Sequence, residues 1–249
     1  MKRYRKEHTL KIHEVTCFGD LKLLGLFNIL QEVASEHANL LGIGYQACCD
    51  AGVAWVAASY RVDIRRLPKI EEKVFIETWI MDSLAVTSQR CYRIKDRQGN
   101  ILIEGLTNWA LIDVKTLRPV AISKSLNIDV NEIDGEKLMF SGEKIRLLPP
   151  EKVDFESHFI SRFDEMDTNF HINNAIYPTW AAESLPADWQ EKYVPTQIQI
   201  NFKNPTKSFE KIDVFTSINE EKTLHKITVG QEMKAIVQIN WRERPCIEN

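Results

Sequence analysis

The sequence contains no run of about eighteen apolar residues, the length that a membrane-spanning helix requires. Its first residues, MKRYRKEHTLKIHE, are basic but lack the apolar core of a signal peptide. The formal net charge of −3 provides no general attraction to nucleic acid. We therefore expect a cytoplasmic protein that has no membrane span and that does not bind nucleic acid.

Paired cysteines and metal-ligand clusters are also missing. The five cysteines include no C-x-x-C pair, so they predict neither a disulfide framework nor a zinc site. None of them lies beside a histidine motif, and we do not expect a catalytic thiol. The histidines are scattered without the spacing of metal ligands, so no metal is expected. The cysteines are Cys17, Cys48, Cys49, Cys91 and Cys246.

The motifs of nucleotide enzymes and α/β-hydrolases are absent as well. The sequence has neither a Gly-rich phosphate loop nor a G-x-S-x-G elbow, and no cofactor is expected. Apolar residues make up 44% and charged residues 27% of the chain, which is ordinary for a globular protein. Its 249 residues allow one large domain or two of about 120 residues.

Hydrophobic periodicity predicts one long helix and several strands in the first half. Leu23, Leu26, Phe27, Leu30 and Val33 recur at helical spacing, so this helix should bury one apolar face. The later runs are rich in β-branched and aromatic residues, which favour strands. The predicted elements are a strand over His8–Val15, a helix over Leu21–Leu41, and strands over Val53–Ile64, Lys73–Met81, Ala85–Lys95 and Asn100–Asp113.

The same order of elements returns in the second half, after a connection that contains Pro119, Pro149 and Pro150. Ala34–Glu36 and Ala181–Glu183 hold similar places in the two helices, which indicates an internal repeat with an offset of 147 residues. Antiparallel sheets that are each covered by one helix predict an α+β fold. The second-half strands are predicted over Val153–Ser161, Pro195–Lys203, Lys211–Glu220, Thr223–Gln231 and Met233–Arg242.

A segment with three polar functional groups, FDEMDTNFHINNAIYPTWAAESLP, lies between Phe163 and Pro186. Asp167, Asn169 and His171 alternate with other residues along it. If the segment is extended, their side chains point to the same side. Such a face combines a carboxylate, an amide and an imidazole, which are groups that can carry acid–base chemistry.

The residues that follow predict a helix start beside these groups. We expect Asn173 to be the N-cap of a helix that runs through Ile176 and Trp180 to about Ser184. The positive end of that helix, near His171, would stabilise a developing oxyanion. A second interpretation is a polar turn whose side chains only cap the helix. Spacing alone leaves both interpretations open.

The segment reads D-x-N-x-H-x-N-N, followed by a tyrosine, a tryptophan and E-S-x-P, and in this pattern it resembles the acyl-ACP thioesterase family of plants and bacteria. The first half resembles the family more loosely, through the LLGLFNILQEVASEHANLLG helix and the W-V-x-x-x-Y-R-V segment. The matching residues of the polar segment are Asp167, Asn169, His171, Asn173, Asn174, Tyr177, Trp180, Glu183, Ser184 and Pro186.

The resemblance implies two tandem hotdog domains, in each of which an antiparallel sheet wraps around a long helix. We divide the chain into an N-terminal hotdog domain at 1–115 with the acyl-chain pocket, an interdomain connection at 116–152, and a C-terminal hotdog domain at 153–249 with the catalytic residues. A monomer and a homodimer are both compatible with this arrangement. The candidate walls of the acyl pocket are Leu26, Leu30, Val56 and Ala58.

In the resembled enzymes, the residues at positions 167, 169 and 171 form the catalytic group. We expect Asp167 to act as a base toward water or as a nucleophile, His171 to assist proton transfer, and Asn169 to orient water or His171. Plant relatives carry a Glu-Cys pair near the position of Asn201–Thr206, and this chain lacks it, so the chemistry should rest on those three residues. Two helix carboxylates, Glu32 and Glu36, are interpreted as structural, and for Glu183 a structural partner is favoured with direct catalysis as the alternative.

The implied activity is hydrolysis of the thioester of fatty acyl-ACP, which releases free fatty acid and ends chain elongation. The implied partner is an acyl carrier protein that bears a phosphopantetheine-linked acyl chain. An acyl-CoA thioesterase and a noncatalytic acyl-binding hotdog protein are the alternatives. Because carrier proteins are acidic, a basic cluster could attract one, and an ordinary solvated strand end is the other interpretation of that cluster. This cluster comprises Arg61, Arg65, Arg66 and Lys69.

Overall fold

The computed structural model describes residues 2–128, 133–141 and 146–245. The chain forms two compact units, Met1–Lys144 and Ile145–Asn249, and their boundary falls within the connection expected at 116–152. Each unit combines antiparallel strands with an apolar helix. The α+β class predicted from the sequence is thereby confirmed.

The first unit is built on a long helix and five strands. Its elements are β1 (Arg3–Thr9), α1 (Leu23–Leu40), α2 (Tyr45–Ala51), β2 (Val53–Ile64), β3 (Lys73–Ser83), β4 (Thr87–Lys95), β5 (Ile101–Asp113) and α3 (Ile122–Ser125). The strands lie in the order β1-β3-β4-β5-β2, each antiparallel to its neighbour. Helix α1 packs against β1 and β3 and buries all but the first of the periodic apolar side chains that predicted it, since Leu23 is only half-buried.

The first strand starts earlier than the sequence predicted. It occupies Arg3–Thr9 rather than His8–Val15, and Ile12–Glu14 form a 3-10 helix. The Lys11 backbone N–H donates to Glu14 Oε2 at 2.7 Å, and the Glu14 N–H donates to the Lys11 carbonyl at 2.9 Å. These local hydrogen bonds stabilise a tight turn in place of strand pairing, and alternation of residue types does not reveal them.

The second unit repeats the plan with a shorter helix. Its elements are β6 (Phe155–Ile160), α4 (Ile176–Glu183), α5 (Trp189–Lys192), β7 (Tyr193–Phe202), β8 (Lys211–Asn219), β9 (Lys222–Val229) and β10 (Glu232–Glu243). The strands lie in the order β7-β10-β9-β8-β6, each antiparallel to its neighbour. Helix α4 has only eight residues, and it buries Tyr177, Trp180 and Ala181 against the sheet.

A loop before the first long helix has a close counterpart in the second unit. Isolated bridges join Val15 to Leu21 and Met166 to Ile172. The N–H of Thr16 donates to the carbonyl of Asp20, and that of Asp167 donates to the carbonyl of His171, both at 2.7 Å. The structure therefore places the internal repeat at an offset of 151 residues, from position 16 to 167, whereas the similarity within the helices predicted 147.

Candidate active site

Asp167 to His171 form a tight loop rather than the extended segment that alternation predicted. The Asp167 N–H donates to the His171 carbonyl at 2.7 Å, and the Phe170 N–H donates to the Asp167 carbonyl at 3.1 Å. Phe170 has a φ of +60°, a left-handed conformation that few residues other than glycine adopt. The argument from a shared strand face is therefore wrong, and the turn itself gathers the three polar residues.

The Asp167 carboxylate closes this loop. Its Oδ1 accepts the backbone N–H of Asn169 at 2.8 Å and lies 3.4 Å from that of His171. This is the polar-turn role left open by the sequence. Among the described residues, no hydrogen bond to Oδ2 is recorded, so the second oxygen of the half-buried side chain is available to another group.

Asn169 and His171 lie in the same loop without contacting each other. Asn169 is exposed and His171 is half-buried. Among the described residues, no hydrogen bond joins their side chains to one another or to the Asp167 carboxylate. The structure thus brings the three predicted residues into one five-residue loop and leaves the imidazole and the amide unpaired within it.

The helix after the loop starts later than predicted. Helix α4 begins at Ile176 with Ala175 at the N-cap position, so Asn173 is not its N-cap. Instead, Asn173 Oδ1 accepts the Ala175 N–H at 2.9 Å, and the Asn173 N–H donates to the Glu165 carbonyl at 2.8 Å. Asn173 therefore stabilises the turn between loop and helix, because a short polar side chain can bond the backbone two residues onward.

Tyr177 and Thr206 form buried hydrogen bonds beside the loop. The role of Thr206 was not predicted from the sequence. The Tyr177 hydroxyl donates to Thr206 Oγ1 at 2.9 Å, and the Ile172 N–H donates to the Thr206 carbonyl at 2.8 Å. Both side chains are buried, and burial raises the pKa of Tyr177 to about 12. The only signal in the sequence was the position of Thr206, at the end of the segment where plant relatives carry the Glu-Cys pair.

We predict that Tyr177→Phe lowers the free energy of unfolding by about 1–2 kcal/mol, because the buried Thr206 hydroxyl loses its partner. Chemical denaturation measures the effect. Tyr193→Phe is the matched control, since no hydrogen bond of the Tyr193 hydroxyl is recorded among the described residues. Its change should stay within about 0.5 kcal/mol. Equal losses in the two variants would contradict the role given to Tyr177.

The helix carboxylates that we interpreted as structural have structural partners. Glu183 is exposed at the end of α4, where its Oε1 accepts a hydrogen bond from Gln190 at 3.1 Å. Glu32 and Glu36 each bind the Lys6 ammonium at 2.7 Å. None of these contacts involves the loop of Asp167.

The two buried thiols are not activated as nucleophiles. Cys48 and Cys91 are buried, and burial raises their pKa values to about 11 and about 12, which disfavours the thiolate. Cys17 and Cys49 are exposed. Cys246 lies outside the described residues.

The basic cluster proposed as a docking surface is already neutralised, and that expectation needs correction. Each of its four side chains forms an ion pair with an acidic residue of the same unit, so little net positive charge is left to attract an acidic partner. The pairs are Arg61–Asp63 at 3.1 Å, Arg65–Glu104 at 3.3 Å, Arg66–Glu72 at 2.7 Å and Lys69–Asp20 at 2.6 Å.

Two of the four candidate pocket walls are exposed. Leu26 and Leu30 are fully buried on α1, whereas Val56 is 37% exposed and Ala58 is also exposed. A bulge in β2 between Ala57 and Ser59 shifts the alternation of the strand at this point. The assignment of Val56 and Ala58 as pocket walls stays a prediction.

One surface group in the second unit has the residue types of a metal site. Ligand atoms of Glu156, His158 and Asp213 lie within 4.8 Å of one another on β6 and β8. Asp213 is already bound by His158 Nδ1 at 2.7 Å and by Lys211 at 3.2 Å. Because exposed ion pairs explain this cluster, it does not define a cofactor site.

No helix within the described ranges is both long and apolar enough to cross a bilayer.

Comparison with known proteins covers both units. The family model of the acyl-ACP thioesterase N-terminal domain matches residues 1–128, and that of the C-terminal domain matches residues 149–243. A chloroplastic oleoyl-acyl carrier protein thioesterase of Coriandrum sativum is 23% identical over 90% of this chain and 65% of its own length. A chloroplastic acyl-[acyl-carrier-protein] hydrolase of Cuphea viscosissima is 21% identical over 88% and 56%, so this chain spans under two thirds of either relative.

Solved structures agree with the fold of the chain. A Lactobacillus plantarum protein described as an oleoyl thioesterase has a TM-score of 0.85 and 25% identity, and the match covers 98% of this chain and 97% of that one. The 12:0-ACP thioesterase of Umbellularia californica has a TM-score of 0.82 and 19% identity, with 98% of each chain covered. The expectation of two tandem hotdog domains is confirmed. Because family models match both halves, this chain belongs to the acyl-ACP thioesterase family.

Proposed function

We propose that this protein hydrolyses the thioester of fatty acyl-ACP and releases free fatty acid and the carrier protein. The observation that carries the proposal is the loop of Asp167, Asn169 and His171, which holds the three polar groups of the family pattern at the start of the second unit's helix segment. Two relatives are named for activity on acyl carrier protein substrates. The cytoplasmic location expected from the sequence remains a prediction, since those relatives are chloroplastic.

The loop contains the groups that thioester hydrolysis needs. Asp167 Oδ2 acts as a base toward water, or as the nucleophile that attacks the carbonyl carbon. His171 assists the proton transfer to the departing thiol, and Asn169 orients water or the imidazole. Water contributes its oxygen to the acid, the carbon–sulfur bond breaks, and the thiol leaves with a proton. Donors beside the carbonyl oxygen stabilise the negative charge of the tetrahedral intermediate.

The two units divide the work in this proposal. The second unit carries the chemistry, while the first holds the acyl chain against α1 and the inner face of its sheet. The counterpart loop of the first unit supports this division, because Thr16, Phe18 and Asp20 stand at the places of Asp167, Asn169 and His171. Asp20 is buried and bound to Lys69 at 2.6 Å, so that loop lacks both the imidazole and a free carboxylate.

A single panel assay tests the activity and the carrier together. Thiol release is measured from acyl-ACPs and from the matching acyl-CoAs at several chain lengths, with His171→Ala as the inactive reference. We expect release from acyl-ACP with a kcat/KM at least about tenfold above that on acyl-CoA, because contacts to the carrier add binding energy. The reverse preference would indicate an acyl-CoA thioesterase. Binding of acyl chains without thiol release would indicate a noncatalytic hotdog protein.

Replacing the cysteines tests the absence of a thiol nucleophile. We predict that a variant with all five cysteines changed to alanine or serine retains turnover within about tenfold of the wild type, since losing a nucleophile costs far more than that. The rate is compared at matched folded fraction, which circular dichroism reports. A folded Cys17→Ser variant without turnover would contradict the prediction directly.

A further inference from the structure

The inner face of the first unit's sheet carries a buried arginine that has no acidic partner. Arg90 lies on β4 and is 6% exposed. Its Nη1 donates to His37 Nδ1 at 2.8 Å and to Thr78 Oγ1 at 3.2 Å. A guanidinium can only donate, so His37 accepts at Nδ1 and is neutral. Both partners of the buried cation are therefore uncharged.

Other arginines of this unit form ion pairs with acidic residues, in contrast to Arg90. Arg93 lies on the same strand, with its side chain on the opposite face, and pairs with Glu104 at 2.9 Å. No ion pair of Arg90 is recorded among the described residues, and Glu36, which adjoins His37 in sequence, binds Lys6 instead. A buried charge without a counterion is strongly unfavourable, and burial lowers the pKa of Arg90 from its ordinary value.

The side chains around Arg90 form a polar row within an apolar interior. Arg90 is opposite Thr107 on β5, and Thr107 is opposite Tyr60 on β2. The Tyr92 hydroxyl lies 3.3 Å from Thr107 Oγ1, and the Trp109 indole N–H donates to the same oxygen at 2.7 Å. Hydroxyl groups therefore adjoin the guanidinium on the face that α1 covers.

Part of the guanidinium is still available to a ligand. Nε and Nη2 of Arg90 make no recorded hydrogen bond within the described part of the chain. Arg90 keeps 6% of its surface exposed, and neither Nε nor Nη2 is completely enclosed. This edge of the guanidinium therefore borders accessible space. Nε and Nη2 form the planar two-pronged edge that matches a carboxylate.

We propose that Arg90 binds the carboxylate of an aliphatic chain inside the first unit. The proposal rests on the proposed function, in which this unit holds the acyl chain. The carboxylate supplies the missing negative charge and accepts two parallel hydrogen bonds from Nε and Nη2, while the chain extends into the space that borders this edge. Two sources share this chemistry, namely a free fatty acid and the distal carboxylate of an acyl group that ends in a second carboxylate.

Calorimetric titration of the full chain with decanoate and with decan-1-ol tests the proposal without requiring turnover. The two probes have the same chain length and differ in charge. We expect the wild type to bind decanoate at least about tenfold more tightly, which corresponds to one charge-assisted interaction. Equal affinities for the acid and the alcohol would overturn the proposal.

Substitutions assign the preference to Arg90. Arg90→Met keeps much of the side-chain length and removes the charge, so the preference for decanoate should disappear. Arg5→Met is the matched control, because Arg5 is exposed and pairs with Glu77 on β3. A decanoate preference that survives Arg90→Met would overturn the assignment. If that variant does not fold, Arg90→Lys takes its place: it keeps the charge without the planar fork, so a weakened preference supports the proposal and an undiminished one overturns it.

Two kinetic arms distinguish the source of the carboxylate. If the source is an acyl group with a distal carboxylate, wild-type kcat/KM on the ω-carboxydecanoyl thioester exceeds that on decanoyl thioester, and Arg90→Met reverses the order. If the source is free fatty acid, decanoate inhibits the wild type competitively and inhibits Arg90→Met at least about tenfold less. A protein that binds decanoate through Arg90 but never releases thiol would refute the proposed function alone.

Discussion

Replacing His171 or Asp167 by alanine lowers the turnover number on acyl-ACP by at least about a hundredfold, the usual scale for losing proton transfer or electrostatic stabilisation. Asp167→Asn separates the two roles of the aspartate. The amide oxygen still accepts the Asn169 N–H that closes the loop at 2.8 Å, but the base is gone. We therefore expect Asp167→Asn to lose turnover as severely as Asp167→Ala while its stability stays close to that of the wild type.

Initial rates of thiol release and urea denaturation measure these effects on the same preparations. Thr168→Ala is the matched control, because Thr168 is exposed in the same loop and no hydrogen bond of its side chain is recorded among the described residues. Its turnover should stay within about threefold of the wild type. Near-wild-type turnover in folded His171→Ala or Asp167→Asn would remove the loop as the catalytic centre.

We expect the stability of the protein to fall below neutral pH because of a histidine in the core of the second unit. His225 is fully buried, and burial lowers its pKa to about 3. Its ring nitrogens contact Thr216 Oγ1 at 2.9 Å and Thr223 Oγ1 at 2.8 Å. Three neutral hydroxyls, those of Thr216, Thr223 and Ser184 at 3.2 Å, surround the ring, so no acidic group in these contacts compensates a proton on it.

The sign of the effect follows from proton binding. Between pH 6.5 and about 3, the unfolded chain binds a proton at His225 and the folded chain does not. The free energy of unfolding therefore falls as pH decreases, by about 1.4 kcal/mol per pH unit from this group, and it is independent of this group above that window. We predict that His225→Gln removes this contribution from the slope of the unfolding free energy against pH. The slope is measured between pH 4 and 6, inside that window.

Urea denaturation across this pH range measures the slope for each variant. His158→Gln is the control, since His158 is exposed on β6 and pairs with Asp213. Its slope should not show the loss expected for His225→Gln. Identical slopes in wild type and in a folded His225→Gln variant would show that His225 takes up a proton inside the fold.

The sequence by itself determined which elements exist and where the polar groups of the site lie. The spacing of apolar residues reveals buried strands and helices. In a strand every second side chain is buried, and in a helix every third or fourth side chain is buried. Most predicted strands and the helix α1 are therefore present within a few residues of their expected ends. The resemblance to the family also rested on residue identity alone, in the segment that contains Asp167, Asn169 and His171.

Local hydrogen bonds decided what periodicity does not encode. The bonds between Lys11 and Glu14 make a turn where alternation predicted a strand. The bond from the Asp167 N–H to the His171 carbonyl likewise makes a tight loop where alternation predicted an extended face. In both cases the competing structure is stabilised by side chains or backbone groups a few residues apart, and residue type alone does not distinguish the outcomes.

Contacts between distant parts of the chain were decided only by the tertiary structure. Thr206 bonds Tyr177 from 29 residues away, and Lys69 pairs with Asp20 of the same unit. Arg90 looks like any other strand arginine in the sequence, and only the packing of α1 over β4 shows that its charge is buried without an acid. The energies of these hydrogen bonds, ion pairs and buried charges depend on which groups lie together away from water. Only the folded chain brings those groups together.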